Sequence, residues 1–456
     1  MGGIAFDSSV VPEHLPRVRH ATPEDAALLA QYVQAGRREG TFRAGPQVEA
    51  RSVLEYQRVA ATDGREYHAY VIEEEDRPIG YFDVQGRGTC GEILGLYLQP
   101  SSRGKRMGRH LFRWAIANLR ARGCRTVSVE IYAGNDASLR AAAAAGFNPN
   151  PAADRTEDGR RVVALRRATT LWPRLGPDEP RYRLLSGENL FLHHAAMAEA
   201  LVEQLAAVRG VQAILGLGSI GRGFGDVWSD VDLAVLGTGP AVRRLPVGES
   251  WVAGVSVDLF VVDLAASPLD RWDDARRQAV GEGVILHCSD PALAARLRRI
   301  VRLRAAEQSA RVSGTLLKLG WLGFCPRTWV GHVRHGYLWP LPHDLWLRRG
   351  HLPSAHATAD QALALALQLL FLVNGRLPPD PKWLRFLAPG LSWLPDGIEG
   401  LLYTAENSTR DDPGFATRAD AILRMVEATT HRLEAHGELA TDLYRSYLKL
   451  SPEYAV

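Results

Sequence analysis

Hydrophobic and polar positions along the first third of the chain predict strands that alternate with helices. Runs in which apolar and polar residues alternate are typical of half-buried strands. Apolar positions three or four residues apart, as at Met107, Leu111 and Trp114, are typical of one helix face. Thr22 followed by Pro23 and two acids indicates the start of a helix. The predicted elements are strands at residues 67–73, 79–84, 92–98, 126–132 and 162–165, and helices at 106–122 and 137–145.

The rest of the chain has a second mixed pattern and then a helical one. Prolines and glycines are concentrated in residues 171–180, which is typical of a linker. After residue 291 the pattern is almost wholly helical. We therefore expect an α/β multidomain protein with an all-α C-terminal part. The predicted domains are residues 1–170, 183–290 and 291–456, with a linker at 171–182; the second contains a helix at 189–209 and strands at 212–217, 231–236 and 255–262.

The composition is that of a soluble globular protein, with 46% hydrophobic and 23% charged residues, which excludes a disordered or fibrous chain. The net charge of +3 is too balanced to argue for nucleic acid or a membrane surface. The longest apolar segment, residues 362–373, has the length of a buried helix rather than a membrane span. Because the four cysteines form no CxxC pair and no secretory signal is evident, we expect a cytoplasmic protein.

A basic, glycine-containing loop follows the predicted strand at 92–98. It contains Arg103, Gly104, Lys105 and Arg106, and Gly108 follows in the next helix. A pyrophosphate needs convergent backbone N–H groups and a positive helix end, and a loop of this kind that opens a helix supplies both. An ordinary turn has the same composition, so the loop alone does not decide its role.

This region resembles the GNAT family of acyl-CoA-dependent N-acyltransferases, whose pyrophosphate loop reads Gln/Arg-x-x-Gly-x-Gly/Ala. Arg103 and Gly108 match the ends of that pattern, whereas Arg106 stands where the middle glycine is usual. Residues 135–147, which begin with Asn135, resemble the second motif of the family. The resemblance covers about a third of the chain. It implies the GNAT fold and an acetyl-CoA cofactor held by the loop and by Asn135.

The resemblance also implies how the acetyl transfer would be divided among residues. The backbone groups of Leu96 and Leu98 would face the acyl-CoA, and Glu92 occupies the place where some members carry a general base. A surface acid at the strand edge is the alternative for Glu92. The tyrosine that often serves as the acid is absent, since its place falls on Ala142, so thiolate departure would need Tyr132 or water. The altered loop and the missing tyrosine leave an inactive acyl-CoA sensor as an alternative to an active enzyme.

A second group of chemistry-bearing residues lies between positions 215 and 258. Asp230 and Asp232 alternate on a predicted strand, so their carboxylates point to one face, and Asp258 offers a third on another apolar strand. Like charges at close range are costly unless a cation lies between them, and such oxygen ligands suit Mg²⁺. Gly218 and Ser219, between a strand and a polar loop, can contact phosphate through backbone N–H and hydroxyl groups.

These residues are similar to the signature of the polymerase β-type nucleotidyltransferase superfamily: Gly-Ser, a spacer of about ten residues, Asp-x-Asp, and a later Asp. The resemblance implies that Asp230 and Asp232 bind two metals that carry the triphosphate, and that Asp258 binds one metal and activates the acceptor hydroxyl. The implied reaction is in-line displacement at the α-phosphorus, with ATP as the default nucleotide. Arg222 either neutralises phosphate charge or faces solvent.

The helical last third is expected to complete the nucleotide and acceptor cleft. Here the chain looks most like the small-molecule group that includes aminoglycoside nucleotidyltransferases. Only four of the 54 basic residues are lysine, so Lys318 and Lys382 are candidate triphosphate contacts, with surface lysines as the alternative. Clustered histidines and aromatics favour core and cleft-lining roles over a zinc site. A basic helix that carries Arg296, Arg298, Arg299, Arg302 and Arg304 could bind RNA, although a solvated face is favoured.

Together the residues predict a bifunctional transferase that acetylates an amine and transfers a nucleotide to a hydroxyl. Both activities suit a polyamine, polyol acceptor, so an aminoglycoside-like antibiotic is the leading substrate. The second hypothesis is a macromolecular target, tRNA or protein, and the third is an acyl-CoA-sensing domain that regulates an active nucleotidyltransferase. The sequence leaves the oligomeric state open.

Overall fold

The computed structural model describes residues 12–42, 64–157, 159–168, 189–324 and 342–435. The chain divides into two compact units. The first comprises Met1–Trp272 and Glu282–Arg296, and the second comprises Asp273–Gly281 and Leu297–Val456. Residues 171–182, the predicted linker, lie outside the described residues, so the predicted domain boundaries stay predictions.

The first sheet of unit 1 has eight strands in the order β1-β2-β3-β4-β5-β8-β6, with β7 paired to β8. Every pairing is antiparallel except that between β4 and β5. The strands are β1 Arg17–His20, β2 Glu66–Glu74, β3 Arg77–Arg87, β4 Cys90–Leu98, β5 Thr126–Tyr132, β6 Asn148–Pro149, β7 Arg155–Glu157 and β8 Arg160–Ala168; the helices between them are α1 Ala26–Arg38, α2 Met107–Ala121 and α3 Asp136–Ala144.

The second sheet of unit 1 has five strands in the order β11-β12-β10-β9-β13. Its central pair, β10 and β12, is parallel, and both strands are apolar at alternate positions that are fully buried. The strands are β9 Val211–Gly216, β10 Val231–Gly237, β11 Gly248–Val252, β12 Val255–Asp263 and β13 Val284–Cys288; the helices are α4 Phe191–Ala206, α5 Gly218–Gly221 and α6 Pro240–Arg243.

Helices α2 and α4 join the two sheets of unit 1 into one packed body. Leu111 and Ile116 of α2 belong to the core of the first sheet, and Met197 and Leu201 of α4 belong to that of the second. The opposite faces of the helices contact each other, so that Ala117 of α2 is buried in the second core. Small residues on this seam let the helices approach closely.

Unit 2 is helical, as the sequence predicted for the last third. The described helices are α7 Asp274–Gly281, α9 Ala305–Trp321, α10 Leu345–Arg348, α11 Leu352–Val373, α12 Pro381–Leu387, α13 Ile398–Asn407 and α14 Asp412–Ala435; α8, Pro291–Leu297, crosses the end of unit 1.

Helix α11 is the centre of the unit 2 core, where it packs against α9 and α14. Among the described residues it is the helix that is long and apolar enough to cross a membrane by length and composition, and 50% of its most apolar window is buried in the structure. Buried core helices commonly reach the same apolarity.

One predicted helix is wrong. The arginine-rich segment that starts at Arg296 is not a continuous helix, because α8 ends at Leu297 and α9 begins only at Ala305. Arg302 instead forms an isolated bridge with Arg376. The arginines therefore do not form one basic helical face.

Candidate functional sites

The gap between β4 and β5 is the feature of the first sheet that a cofactor can enter. The two parallel strands pair only from Cys90 to Ile93 and from Thr126 to Val129. β4 continues to Leu98 and β5 continues to Tyr132, but these later residues do not pair with each other. Beyond Ile93 the backbone of β4 therefore has groups that no neighbouring strand satisfies on the β5 side, and such groups are available to a bound ligand.

A β-bulge begins the separation of these strands. On β3, Asp83 pairs with Gly95 and Val84 pairs with Ile93, so Leu94 is an extra residue in β4. A bulge bends the strand that carries it and increases its twist, which turns the rest of β4 away from β5. The predicted cofactor contacts Leu96 and Leu98 both lie on this diverging segment.

The loop after β4 has a backbone conformation suited to its place before helix α2. Gly104 has a φ of 81° and Arg106 a φ of 62°, and α2 begins at Met107. The left-handed region favours glycine, which explains in physical terms why a glycine is usual where Arg106 stands. Gly108 lies close to α3, since a methyl group at Gly108 would be 3.5 Å from Ala141 Cβ. The loop therefore leads directly into a helix, and the first N–H groups of a helix, which lack intrahelical partners, can donate to an anion.

The three basic side chains of the loop differ in their contacts. Arg103 donates to the Leu98 carbonyl over 2.8 Å and to Glu39 over 2.6 Å, so it fastens the loop to the end of β4. Lys105 pairs with Glu74 at 3.0 Å. The Arg106 side chain is exposed and forms no hydrogen bond or ion pair with a described residue. Of the three, its guanidinium is the one left available for a phosphate.

The other predicted residues of this region have local partners. Asn135 caps helix α3, where its side chain accepts a hydrogen bond from the Ser138 amide over 3.2 Å. Glu92 accepts from Gln85 over 2.7 Å. Tyr132 is buried, and the Arg160 guanidinium lies 3.8 Å from its ring centre. Their predicted catalytic and cofactor roles stay predictions.

Sequence reasoning missed Asp83, a carboxyl group beside the bulge. Asp83 is 5% exposed, and the Tyr67 hydroxyl donates to its Oδ2 over 3.0 Å. Burial raises its pKa to about 7, an effect that the Tyr67 hydrogen bond and the nearby Gly95 amide partly oppose. A single acid in an otherwise apolar strand forms no sequence motif. Asp83 becomes recognisable as a candidate only from its burial in the folded protein.

The model of the Acetyltransferase (GNAT) family matches residues 36–147. The N-terminal part of the chain is a GNAT acetyltransferase domain. No curated protein matches the chain.

Solved structures similar to this chain include other acetyltransferases. The ribosomal-protein-alanine N-acetyltransferase from Brucella melitensis is 23% identical, with 33% of this chain and 99% of that chain covered and a TM-score of 0.29. The acetyltransferase yncA from Salmonella typhimurium, solved with acetyl-CoA, is 20% identical over 36% of this chain and 99% of its own, with a TM-score of 0.30. The spermidine N-acetyltransferase from Vibrio cholerae is 12% identical over 34% of this chain and 95% of its own, with a TM-score of 0.29.

Outside the GNAT domain, the three predicted aspartates lie on or next to strands of the second sheet. Asp232 of β10 and Asp258 of β12 are direct partners in the register of two parallel strands, so their side chains leave the sheet on one face. Asp230 precedes β10 by one residue. Burial raises the pKa of Asp258, and the charges of Asp230 and Glu249 raise it further. The carboxylates thus influence one another electrostatically.

Gly218 packs closely against the Asp232 side chain. It has a φ of 53°, and a methyl group there would lie 1.8 Å from Asp232 Oδ2, so only glycine fits. The neighbouring Ser219 is 7% exposed, and its hydroxyl has no hydrogen-bond partner among the described residues. Arg222 is buried and donates to the Gly218 carbonyl over 2.6 Å, so it does not face solvent as one alternative predicted. A buried hydroxyl without a partner is a place for a polar ligand atom.

The chemical type of the oxygen atoms at this site suits Mg²⁺. Carboxylate oxygens at Asp230, Asp232 and Asp258 and an unpartnered hydroxyl at Ser219 are hard ligands of the sort that Mg²⁺ takes. Within the described ranges, however, no three His, Cys, Asp or Glu side chains are drawn together as a preformed metal cluster. The predicted metal role of these three aspartates stays a prediction.

Glu249 is a further acid on the second sheet. Sequence reasoning missed Glu249, which lies on β11 opposite Asp258 and accepts from Ser256 over 2.9 Å. The sequence signal was weak because β11 is a short edge strand in which only Val252 is buried.

Lys382 lies on helix α12 of unit 2, where its ammonium is 5.7 Å from the centre of the Trp383 ring. Its predicted triphosphate contact stays a prediction.

Proposed function

We propose that the GNAT domain transfers an acetyl group from acetyl-CoA to an amine of a small molecule. The separation of β4 from β5 after Ile93 carries this proposal, because it leaves strand backbone free to bind the cofactor beside the loop that opens α2. Leu96 and Leu98 would present backbone groups to acetyl-CoA, and the loop from Arg103 to Gly108 would hold its pyrophosphate.

Product analysis tests this proposal directly. The protein would be incubated with acetyl-CoA and spermidine, ribostamycin or n-pentylamine, and each amine examined by mass spectrometry while free CoA is assayed. An acetylated amine formed with an equal amount of CoA supports the proposal. Binding of acetyl-CoA without CoA release on any amine supports the alternative of an acyl-CoA sensor.

For the second sheet, we infer nucleotidyl transfer to a hydroxyl as a second activity. Support comes from the pairing of Asp232 with Asp258 in register, and from Gly218, which brings its backbone against Asp232 and places the unpartnered Ser219 hydroxyl next to it. In the proposed arrangement Asp230, Asp232 and Asp258 would hold Mg²⁺, which when bound neutralises triphosphate charge. The Ser219 hydroxyl would donate to a phosphate oxygen, and Asp258 would take the proton of the attacking hydroxyl.

One variant separates this activity from acetyl transfer. Ribostamycin would be incubated with Mg²⁺ and mixed nucleoside triphosphates, and nucleotide adducts and pyrophosphate measured. Asp232→Asn should abolish both products while amine acetylation is unchanged. An adduct formed equally well by this variant would contradict the assignment.

The acceptor that suits both activities is a compound with amines and hydroxyls, such as an aminoglycoside-like antibiotic. A tRNA or protein acceptor is the alternative. The arginine-rich segment was the sequence feature that favoured RNA, and it does not form the continuous helix on which that idea depended. Salt-sensitive binding of tRNA to the purified chain would restore that alternative.

A further inference from the structure

Two aromatic side chains are exposed on the face of the second sheet that carries Asp232 and Asp258. Trp251 of β11 is 72% exposed, and Phe260 of β12 is 45% exposed. Leu259, which lies between Asp258 and Phe260 on β12, is instead buried in the core on the opposite face. Exposed aromatic rings gain free energy when a partner covers them, so this face is a candidate surface for a ligand.

The register of β11 and β12 places Trp251 beside the proposed reaction site. Glu249 pairs with Asp258, and Trp251 pairs with Ser256 in this antiparallel ladder. Paired residues point to the same face of a sheet, and so do residues two apart along one strand, so all four side chains share one face. A hydrogen bond agrees with this placement, because the Ser256 hydroxyl donates to Glu249 Oε1 over 2.9 Å.

The carboxylate of Glu249 is accessible to a ligand. The side chain is exposed, and its Oε2 accepts no hydrogen bond from a described residue. An exposed carboxylate oxygen can accept a charge-assisted hydrogen bond from an ammonium group. Glu249 is therefore a candidate contact for a cationic group that binds next to Asp258.

The spacing of the three side chains suits a ring that carries both an amine and a hydroxyl. Directly paired residues of an antiparallel ladder have Cβ atoms about 5 Å apart, which applies to Glu249 and Asp258. Residues two apart along a strand are about 6.6 Å apart, which applies to Glu249 and Trp251. A sugar ring over Trp251 can therefore direct an ammonium group to Glu249 while a nearby hydroxyl reaches Asp258.

The charge of this face decides among possible occupants. At the positions of β10, β11 and β12 that share the face, the ionisable residues are Asp232, Asp258 and Glu249, and all are acids. The phosphates of a nucleic acid would be repelled by them. An apolar protein surface would remove water from the acids without pairing them, which is costly. A polyhydroxylated amine pairs with the acids and covers the aromatic rings together.

We propose that Trp251 and Glu249 bind one amine-bearing sugar ring of the acceptor for nucleotidyl transfer. This inference rests on the proposed transfer and assigns the residues that recognise its acceptor. The Trp251 indole lies against the apolar C–H face of the ring, and Glu249 accepts a hydrogen bond from the ammonium group. Both residues bind and orient the acceptor, whereas its reacting hydroxyl goes to Asp258.

The test measures steady-state nucleotide transfer to ribostamycin by the full chain with Mg²⁺ and nucleoside triphosphates. Trp251→Ala and Glu249→Gln should each raise the KM for ribostamycin by about tenfold, with kcat and the nucleotide KM changed by less than about twofold. Trp251→Phe retains an aromatic ring and should stay within about threefold of wild type. The kinetics of ribostamycin acetylation should be the same in all three variants and wild type.

Two exposed residues elsewhere provide matched controls. Tyr403 of helix α13 is 68% exposed, and the Asp76 side chain, between β2 and β3, is 89% exposed. Tyr403→Ala and Asp76→Asn should leave the ribostamycin KM at its wild-type value. A rise of similar size in these controls would overturn the assignment, because it would show a general effect of removing surface rings or charges.

The kinetic outcomes separate this site from the transfer reaction itself. If ribostamycin receives a nucleotide and neither Trp251→Ala nor Glu249→Gln raises its KM, the proposed subsite is wrong and the transfer stands. A rise in only one of the two variants overturns the joint assignment.

If wild type transfers no nucleotide to ribostamycin, calorimetry of ribostamycin decides the subsite alone. One binding site lost in both Trp251→Ala and Glu249→Gln and kept in both controls supports the subsite although the transfer fails. Equal stoichiometry and affinity in all of these proteins, or no binding by wild type, overturns it.

A second copy of the chain is the other occupant that the test must address, because β11 is an edge strand. Sedimentation of wild type and Trp251→Ala should show the same oligomeric state. A dimer that Trp251→Ala dissociates would assign this face to a subunit contact and overturn the proposal.

Discussion

His110 of helix α2 and His193 of helix α4 form a buried hydrogen-bonded pair. The His110 Nε2 and His193 Nδ1 atoms are 3.0 Å apart, and the two rings stack with centroids 5.3 Å apart. Burial lowers the pKa of His110 to about 3 and lowers that of His193 well below its usual value. Both rings are therefore neutral in the folded protein at neutral pH.

This pair predicts acid sensitivity. Above the ordinary histidine pKa of 6.5 both folded and unfolded chains are neutral at these rings, so the stability is fully present. As the pH falls from 6.5 toward about 3, the unfolded chain binds protons that the folded chain refuses, and stability is lost. Relative to wild type, the double variant His110→Phe, His193→Phe should lose less stability between pH 7 and pH 5, by about 4 kcal/mol (about 2 kcal/mol for each ring) in urea titrations. The exposed His14→Gln is the control and should follow wild type.

A second prediction concerns Glu203 of α4. It accepts from Arg113, a side chain that is 1% exposed, over 2.6 Å, and from Arg109 over 2.7 Å. Glu203→Gln leaves the buried Arg113 charge without its counter-charge and should lower the free energy of unfolding by about 2–3 kcal/mol. Glu130→Gln removes the partner of Arg155 in an exposed pair and should cost less than about 1 kcal/mol in the same chemical denaturation. Equal losses in the two variants would contradict this account.

A third prediction concerns Gly218. In Gly218→Ala the new methyl group cannot coexist with Asp232 Oδ2 in its present place, so the carboxylate or the backbone must move. We expect nucleotide transfer to fall by at least about 100-fold with acetyl transfer unchanged. Gly254→Ala is the matched control, since Gly254 also has a positive φ, lies in the turn between β11 and β12 of the same sheet and has open space around it. Loss of nucleotide transfer in both variants would point to strain alone.

A fourth prediction separates the backbone of Arg106 from its side chain. Arg106→Gly relieves a left-handed residue and should raise stability by about 0.5–1 kcal/mol in thermal or chemical denaturation. It also removes the unpaired guanidinium of the loop, so calorimetry should show weaker acetyl-CoA binding. Arg106→Lys keeps a cation without relieving the backbone and should retain most of the affinity at wild-type stability. Tighter binding by the glycine variant would mean that Arg106 obstructs the cofactor.

The sequence predicts features that depend on neighbouring residues, and it misses features that depend on residues distant in the chain. Local strand periodicity places Asp232 on one face of β10, whereas Asp230, which was expected on the same strand, lies one residue before it. The loop around Arg106 was also found from local sequence, because Arg106 stands where the family pattern has a glycine. The structure adds that this position has a positive φ. Asp83 and Glu249 were missed because one depends on burial by distant residues and the other on the register of an edge strand. The helix expected over the arginine cluster was wrong because charge content does not determine where a helix ends.

The seam between α2 and α4 also limits how the chain can be divided for experiments. A fragment that ended with β8 would retain Arg113 and lose Glu203, so Arg113, which is buried in the intact chain, would lose its counter-charge. It would also expose Ala117 and Ala121, which are covered in the second core, and leave His110 without His193. This isolated GNAT fragment is therefore expected to be poorly soluble or aggregation-prone. A lack of activity in the fragment would say nothing about the activity of the intact chain.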